Sequence, residues 1–157
     1  MRYYWLAFFS VLGLDQASKL LVRLHFHPLQ SVPLFEPWIY LTYIQNPGAA
    51  FGLFPGFAQS FIPVSVVAVL VFTGYAVWFR PPRIVALALG LVAGGAFGNM
   101  LDRLLFNSVI DFIDLKFWPV FNVADSAIVV GTGILFVLMV NKDVKRGVPG
   151  AKGDSAG

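Results

Sequence analysis

The sequence predicts an all-α membrane protein with a small β element, and three observations carry that expectation. Only 12% of the 157 residues are charged and 58% are apolar, whereas a soluble domain carries about 25% charged residues. Four apolar runs are each long enough to cross roughly 30 Å of hydrocarbon at about 1.5 Å per residue. Between the first two runs lies a proline-rich stretch containing a short segment of β-branched and aromatic residues.

The runs cover about residues 3–24, 57–79, 84–105 and 123–140 of a single domain, 1–157. Met1-Arg2 ahead of the first run resembles a secretory leader. No small-residue cleavage motif follows, however, and the run continues into Asp15 and Lys19, so it reads as an uncleaved span. Arg2, Arg80, Arg83, Lys142, Lys145, Arg146 and Lys152 fall on one side of this topology, and Arg23, Arg103 and Lys116 on the other. The positive-inside bias puts both termini and the Arg80–Arg83 turn in the cytoplasm. Asp15, Asn99, Asp102 and Asp125 then all lie in the outer half of the bilayer, where a cavity open to the outside explains them. The tail, 142–157, has no apolar pattern and reads as flexible.

Residues 25–56 form the long outer connection, with Pro28, Pro33, Pro37, Pro47 and Pro55 arguing against helix. Ile39–Ile44 reads as a strand and Val32–Phe35 as an edge partner interrupted by Pro33. Trp38, Tyr40 and Tyr43 are expected at headgroup level.

The candidate chemistry centres on 90–125. Asp111, in a short loop, and Asp125, at the start of the fourth span, are fourteen residues apart with mostly apolar residues between them. Two carboxyl groups that share a proton can act together as general base and general acid. The plainer reading makes Asp125 a helix N-cap and Asp111 a loop residue. Asn99, Asp102 and Arg103 share a helix face; a structural role fits the last two, with Arg103 pairing with a nearby acid. Asp15 and Lys19 stand at i, i+4 and can pair, either around a substrate or within a structural network. Gly90, Gly94 and Gly98 recur every fourth residue, a small-residue stripe for close helix packing rather than a nucleotide fingerprint. His25 and His27 are too few for a metal site. The absence of cysteine excludes thiol chemistry, and neither a P-loop nor a serine–histidine motif occurs.

Five stretches together resemble the lipoprotein signal peptidase (signal peptidase II) family. They are Asp15–Lys19 (DQASK), Asn46–Gly52 (NPGAAFG), Gly94–Arg103 (GGAFGNMLDR), Val109–Ile113 (VIDFI) and Phe121–Ser126 (FNVADS), in the family's order across nearly the whole chain. The resemblance implies four transmembrane helices with an outer β-cradle and a short lid segment. It also implies an aspartic endopeptidase of the bacterial inner membrane that removes the signal peptide from a diacylglyceryl-modified prolipoprotein, N-terminal to the lipidated cysteine. Asp111 and Asp125 match the catalytic pair, and Asp15, Lys19, Asn46, Gly48, Asn99, Arg103, Asn122 and Ala124 match positions that bind substrate or support the site. No metal or organic cofactor is implied, and the expected partners are the prolipoprotein and membrane lipid, not nucleic acid. The oligomeric state stays open, and a monomer is compatible with it. Asn107 stands where the family usually has Gly; Asn tolerates a left-handed backbone, so the turn is expected to survive. The stretch 112–124, which forms the lid in the family, is short here. The competing reading is a small proton-coupled transporter with an acidic relay, although the cytoplasmic half offers no polar path.

Overall fold

The computed structural model describes residues 1–48 and 58–146. In chain order it consists of α1 (Arg2–His25), β1 (Ser31–Phe35), β2 (Ile39–Asn46), a 3-10 turn (Ala58–Ser60), α2 (Phe61–Phe79), α3 (Arg83–Phe106), β3 (Val109–Asp114) and α4 (Val123–Arg146). All four helices are long and apolar enough to cross a membrane. Hydrocarbon offers no partner to a backbone N–H or C=O, so apolar runs of this length satisfy their own groups as helix. The expected start of the second span at Phe57, the Ala49–Gly52 part of the second motif and the tail beyond Arg146 lie outside the described residues. Residues 142–146, read from composition as tail, continue the α4 helix.

Helix α3 is the post of the bundle. Of its span 67% is buried, against 33% for α1, 17% for Val123–Asn141 of α4 and 11% for α2. The glycine stripe makes this possible. A Cβ on Gly94 would lie 2.7 Å from the Phe8 carbonyl oxygen, and one on Gly95 2.5 Å from that of Ala124; one on Gly90 would collide with the Tyr4 carbonyl. The neighbours are backbone atoms of α1 and α4, which cannot swing aside as a side chain could. Tyr4, Phe8, Ala76, Ala86, Leu89 and Ala93 fill the core between α1, α2 and α3. Helix α2 ends on Arg80 in a left-handed conformation (φ 45°) ahead of Pro81-Pro82, which forces the reversal into α3. Asn107 closes α3 in the same way (φ 54°), its N–H donating to the Arg103 carbonyl at 3.0 Å, so the expected turn is present without glycine.

The ends of α1 and α3 and the start of α4 meet a three-stranded antiparallel sheet of order β1-β2-β3. Strands β1 and β2 lie where the sequence puts them. Strand β3 is a correction, because Val109–Asp114 looks like a loop carrying Asp111 but pairs with β2, Ile44 opposite Asp111 and Asn46 opposite Val109. Six residues interrupted by two acids carry too little local preference for strand; the free edge of β2 supplies it. Side chains alternate across β3. Ile110 and Phe112 pack with Val22 and Tyr43 in a second core, which leaves Asp111 facing the other way. Tyr43 is buried within the protein, because its place in β2 turns it inward, while Trp38 is exposed.

The packing generates a stability contrast. Gly94→Ala and Gly95→Ala each overpack a backbone contact and are expected to cost about 1–3 kcal/mol. Gly133→Ala, with nothing among the described residues within 4 Å of the added carbon, should instead stabilise α4 by about 0.5–1 kcal/mol. Thermal unfolding in detergent micelles checks the difference in sign.

Candidate active site

Asp111 and Asp125 reach one cavity by different routes. After β3 the chain turns and comes back. The Phe112 and Ile113 N–H groups donate to the Phe121 carbonyl at 3.0 and 2.8 Å, and Phe121 N–H returns a bond to the Ile113 carbonyl at 3.1 Å. That bridge brings Asn122, and with it the first turn of α4, beside β3. Asn122, not Asp125, is the N-cap. Its Oδ1 accepts from the Asp125 N–H at 2.9 Å, and Asp125 Oδ2 accepts from the Asn122 N–H at 3.3 Å. This reciprocal pair is a capping box with Asp125 as its third helical residue, which corrects the simple-cap reading. The capping exchange fixes the Asp125 side chain, and the start of α4 offers it partial positive charge.

Asparagines surround both acids, and each amide has its orientation dictated. Gly48 N–H donates to Asn46 Oδ1 at 3.0 Å, which turns Asn46 Nδ2 toward Asp111 Oδ2 at 2.9 Å. Asn122 Nδ2 donates to Asp111 Oδ1 at 2.7 Å, and Asn99 Nδ2 to Asp125 Oδ1 at 2.7 Å. Asn122 Nδ2 also donates to Asn99 Oδ1 at 3.1 Å, joining the two halves. Burial pushes the Asp111 carboxyl up to about 7, and the charge of Asp125 adds to the rise. The bonds from Asn46 and Asn122 and the Lys19 charge oppose it without cancelling it. A carboxyl poised there is about half protonated at neutral pH and can give or take a proton beside the second acid.

Beneath the acids sits a fully enclosed ionic group. Lys19 Nζ lies 2.8 Å from Asp15 Oδ2 and 2.9 Å from Asp102 Oδ2, with relative exposures of 2%, 0% and 1% for Lys19, Asp15 and Asp102. Asp15 Oδ1 accepts the Ala124 N–H at 3.0 Å, capping α4 from another helix, and Asp102 Oδ2 accepts the Ile110 N–H at 3.1 Å. Gln16, quoted in the sequence only as part of a motif, donates to Asp15, Asp102 and the Gly98 carbonyl. Its apolar surroundings on α1 were the available signal. Of the two roles open to Asp15 and Lys19, this is the structural network: neither lines the cavity. Removing one partner from such a buried group costs about 3–5 kcal/mol.

The cavity encloses about 330 Å³. Asn46, Gly48, Asn99, Arg103, Asp111 and Asp125 line it, and Trp118, Pro119, Val120 and Phe121 add an apolar wall from the segment between the acids. These four residues belong to the 112–124 stretch that the resemblance implies as a lid, and here they form one side of the cavity. Ala124 is buried against Asp15 and contributes its N–H instead of its side chain. The ion pair expected for Arg103 is not made among the described residues. Its guanidinium stands 5.4 Å from the Phe61 ring centre, and Nη1 donates to the Asn99 carbonyl at 3.5 Å. Nε is buried without a hydrogen-bond partner among the described residues.

A model of the signal peptidase (SPase) II family matches residues 7–141. A lipoprotein signal peptidase of Syntrophomonas wolfei is 47% identical over 143 residues, covering 91% of this chain and 95% of that protein. One from Moorella thermoacetica is 48% identical over 127 residues, covering 80% and 84%. A solved bacterial membrane enzyme at 23% identity shares the fold with a TM-score of 0.88 over 97% of this chain and 96% of its own. Another, at 25% identity, has a TM-score of 0.80 over 88% and 93%. By sequence along nearly its whole length, and with a matching fold, the chain belongs to the signal peptidase II family of membrane-embedded lipoprotein signal peptidases.

Proposed function

We propose that this peptidase is of the aspartic type, with Asp111 and Asp125 as its catalytic pair. Its substrate is a diacylglyceryl-modified prolipoprotein, cut on the N-terminal side of the lipidated cysteine. The observation that carries the reading is that both carboxyl groups line one cavity, with Asp111 raised to about 7 by burial and by its neighbour's charge. Asp125, held by its capping box, takes a proton from a water as the oxygen attacks the scissile carbonyl carbon. Asp111 donates its proton to the departing amide nitrogen, and the reversed protonation is reset by exchange with solvent. Asn46, Asn99 and Asn122 keep the carboxylates aimed. Gly48 positions Asn46, and the Arg103 guanidinium offers N–H groups to substrate carbonyls along the cavity wall.

The distribution of basic residues supports a reading of the orientation as well. The chain is read as a multi-pass protein of the bacterial inner membrane, with both termini cytoplasmic and the site near the outer face, because Arg2, Arg80 and Arg83 lie at the bundle end opposite the sheet. A diacylglyceryl anchor keeps the substrate cysteine at that interface. The lipid supplies binding energy remote from the bond being broken, which offsets the cost of aligning an extended peptide.

Asp111→Asn and Asp125→Asn are each expected to fold with wild-type helix content and to lose on the order of 10²–10⁴ in cleavage rate. A synthetic diacylglyceryl-modified precursor, followed by the shortening of its product, provides the assay. Near-normal processing by either variant removes that residue from the catalytic pair. Cleavage should also fall at both pH extremes, since one carboxyl must be charged and the other neutral. The sign for Asp111 is definite: as the proton donor it is competent below about 7, and activity drops as pH rises through that value. A profile that is flat from acid to alkaline contradicts the shared-proton mechanism.

A further inference from the structure

Lys19 touches neither cavity nor carboxylate of the proposed pair, yet three separate supports of that pair converge on its ammonium. The first is Asp15, 2.8 Å away, whose other oxygen accepts the Ala124 N–H, one residue before Asp125. The second is Asp102, 2.9 Å away, whose bonded oxygen also accepts the Ile110 N–H, one residue before Asp111. The third is Asn99 Oδ1, which accepts from Nζ at 2.9 Å. An ammonium can only donate. It therefore holds the Asn99 oxygen inward and leaves Nδ2 for Asp125 Oδ1, at 2.7 Å. Asn122 Nδ2 reinforces that orientation from the opposite side at 3.1 Å.

Gln16 Nε2 also bridges Asp15 and Asp102, at 3.1 Å to each, but Lys19 is the group that ties Asn99 to them as well. Strand β3, which carries Asp111, and the first turn of α4, which carries Asp125, belong to different elements. Each is anchored through one backbone N–H to one carboxylate, and the two carboxylates are held together by the same cation. We propose that Lys19 is a positioning residue for the dyad: its ammonium, shared by Asp15, Asp102 and Asn99, locks the register between β3 and the start of α4 and thereby sets how the two catalytic carboxyl groups face each other. This rests on the assignment of Asp111 and Asp125 as the reacting pair. It goes beyond a supporting role in general, because it predicts an effect on the chemical step rather than on substrate capture or on folding alone.

Lys19→Met by itself leaves Asp15 and Asp102 buried together without a counter-ion and is expected to unfold the protein, which would not separate the two roles. The informative variant is Lys19→Met combined with Asp102→Asn. The amide introduced by Asp102→Asn retains an acceptor for the Ile110 N–H, and the buried charge stays at one negative unit, because a cation and an anion are removed together. In detergent micelles, with the lipidated precursor as substrate, this double variant should remain helical. Its KM should stay within about twofold of wild type while kcat falls about 10- to 100-fold, the scale of a misaligned reacting group. Asn99→Leu, which leaves the Lys19–Asp15–Asp102 group intact, should lower kcat in the same way. Added to the double variant, it should cost less than it does alone, because both changes loosen one arrangement.

A folded double variant with wild-type kcat overturns the proposal, as does a loss confined to KM or strictly additive costs. If the double variant does not fold, Asn99→Leu still decides: wild-type kcat there refutes the link from Lys19 to Asp125. A failure of the dyad assignment looks different, since Asp111→Asn or Asp125→Asn would then cut the precursor whatever Lys19 does.

Discussion

A charge inside a hydrocarbon layer has to find its partners within the protein, and this molecule is built around meeting that demand once, in one place. Lys19, Asp15 and Asp102 are almost wholly enclosed, and isolated ions at such a depth would neutralise or draw water in. Packed within ion-pair distance of each other, they offset most of one another's desolvation. Their spare lone pairs then become anchors for backbone N–H groups from elsewhere in the chain. Stability and site geometry consequently share the same atoms. The group that lets three charged residues exist in the membrane also determines where β3 and α4 begin.

Close helix approach is the second requirement. A lysine on α1 reaches an asparagine and an aspartate on α3 only if the two backbones nearly touch, and Gly90, Gly94 and Gly98 permit that contact. An added carbon at Gly98 would meet the Asp15 carboxylate itself, at 2.6 Å. The small-residue stripe therefore does more than fill space economically, since it brings the polar groups within hydrogen-bond range. Lipid-facing α2 contributes little to the site, consistent with its low burial.

The cavity itself is treated differently from the ionic group beneath it. Asp111 keeps a neighbouring charge and an apolar wall of Trp118, Pro119, Val120 and Phe121 near it. Three asparagines supply donors that orient the acids without neutralising them. A lysine in the cavity would hold both carboxyl groups ionised and abolish the asymmetry that acid–base chemistry needs. With the cation one layer below and amides between, Asp111 stays raised while its geometry remains tightly specified.

Much of this was legible along the chain. Hydropathy alone determined four spans, because twenty apolar residues have only one way to satisfy their backbone in lipid. Spacing determined the Asp15–Lys19 pair and the packing role of the glycines, since both depend only on helix periodicity. Asn107 was readable for a similar local reason, as a residue that tolerates the left-handed turn. Tertiary structure alone decided that 109–114 is a strand, since its pairing partner lies some seventy residues earlier in β2. It also decided that Tyr43 turns inward, that Asn122 rather than Asp125 caps α4, and that Arg103 faces the cavity with no ion pair among the described residues. Sequence spacing describes neighbours on one element; the facing of Asp111 and Asp125 depends on hydrogen bonds between elements, and those exist only once the bundle has closed.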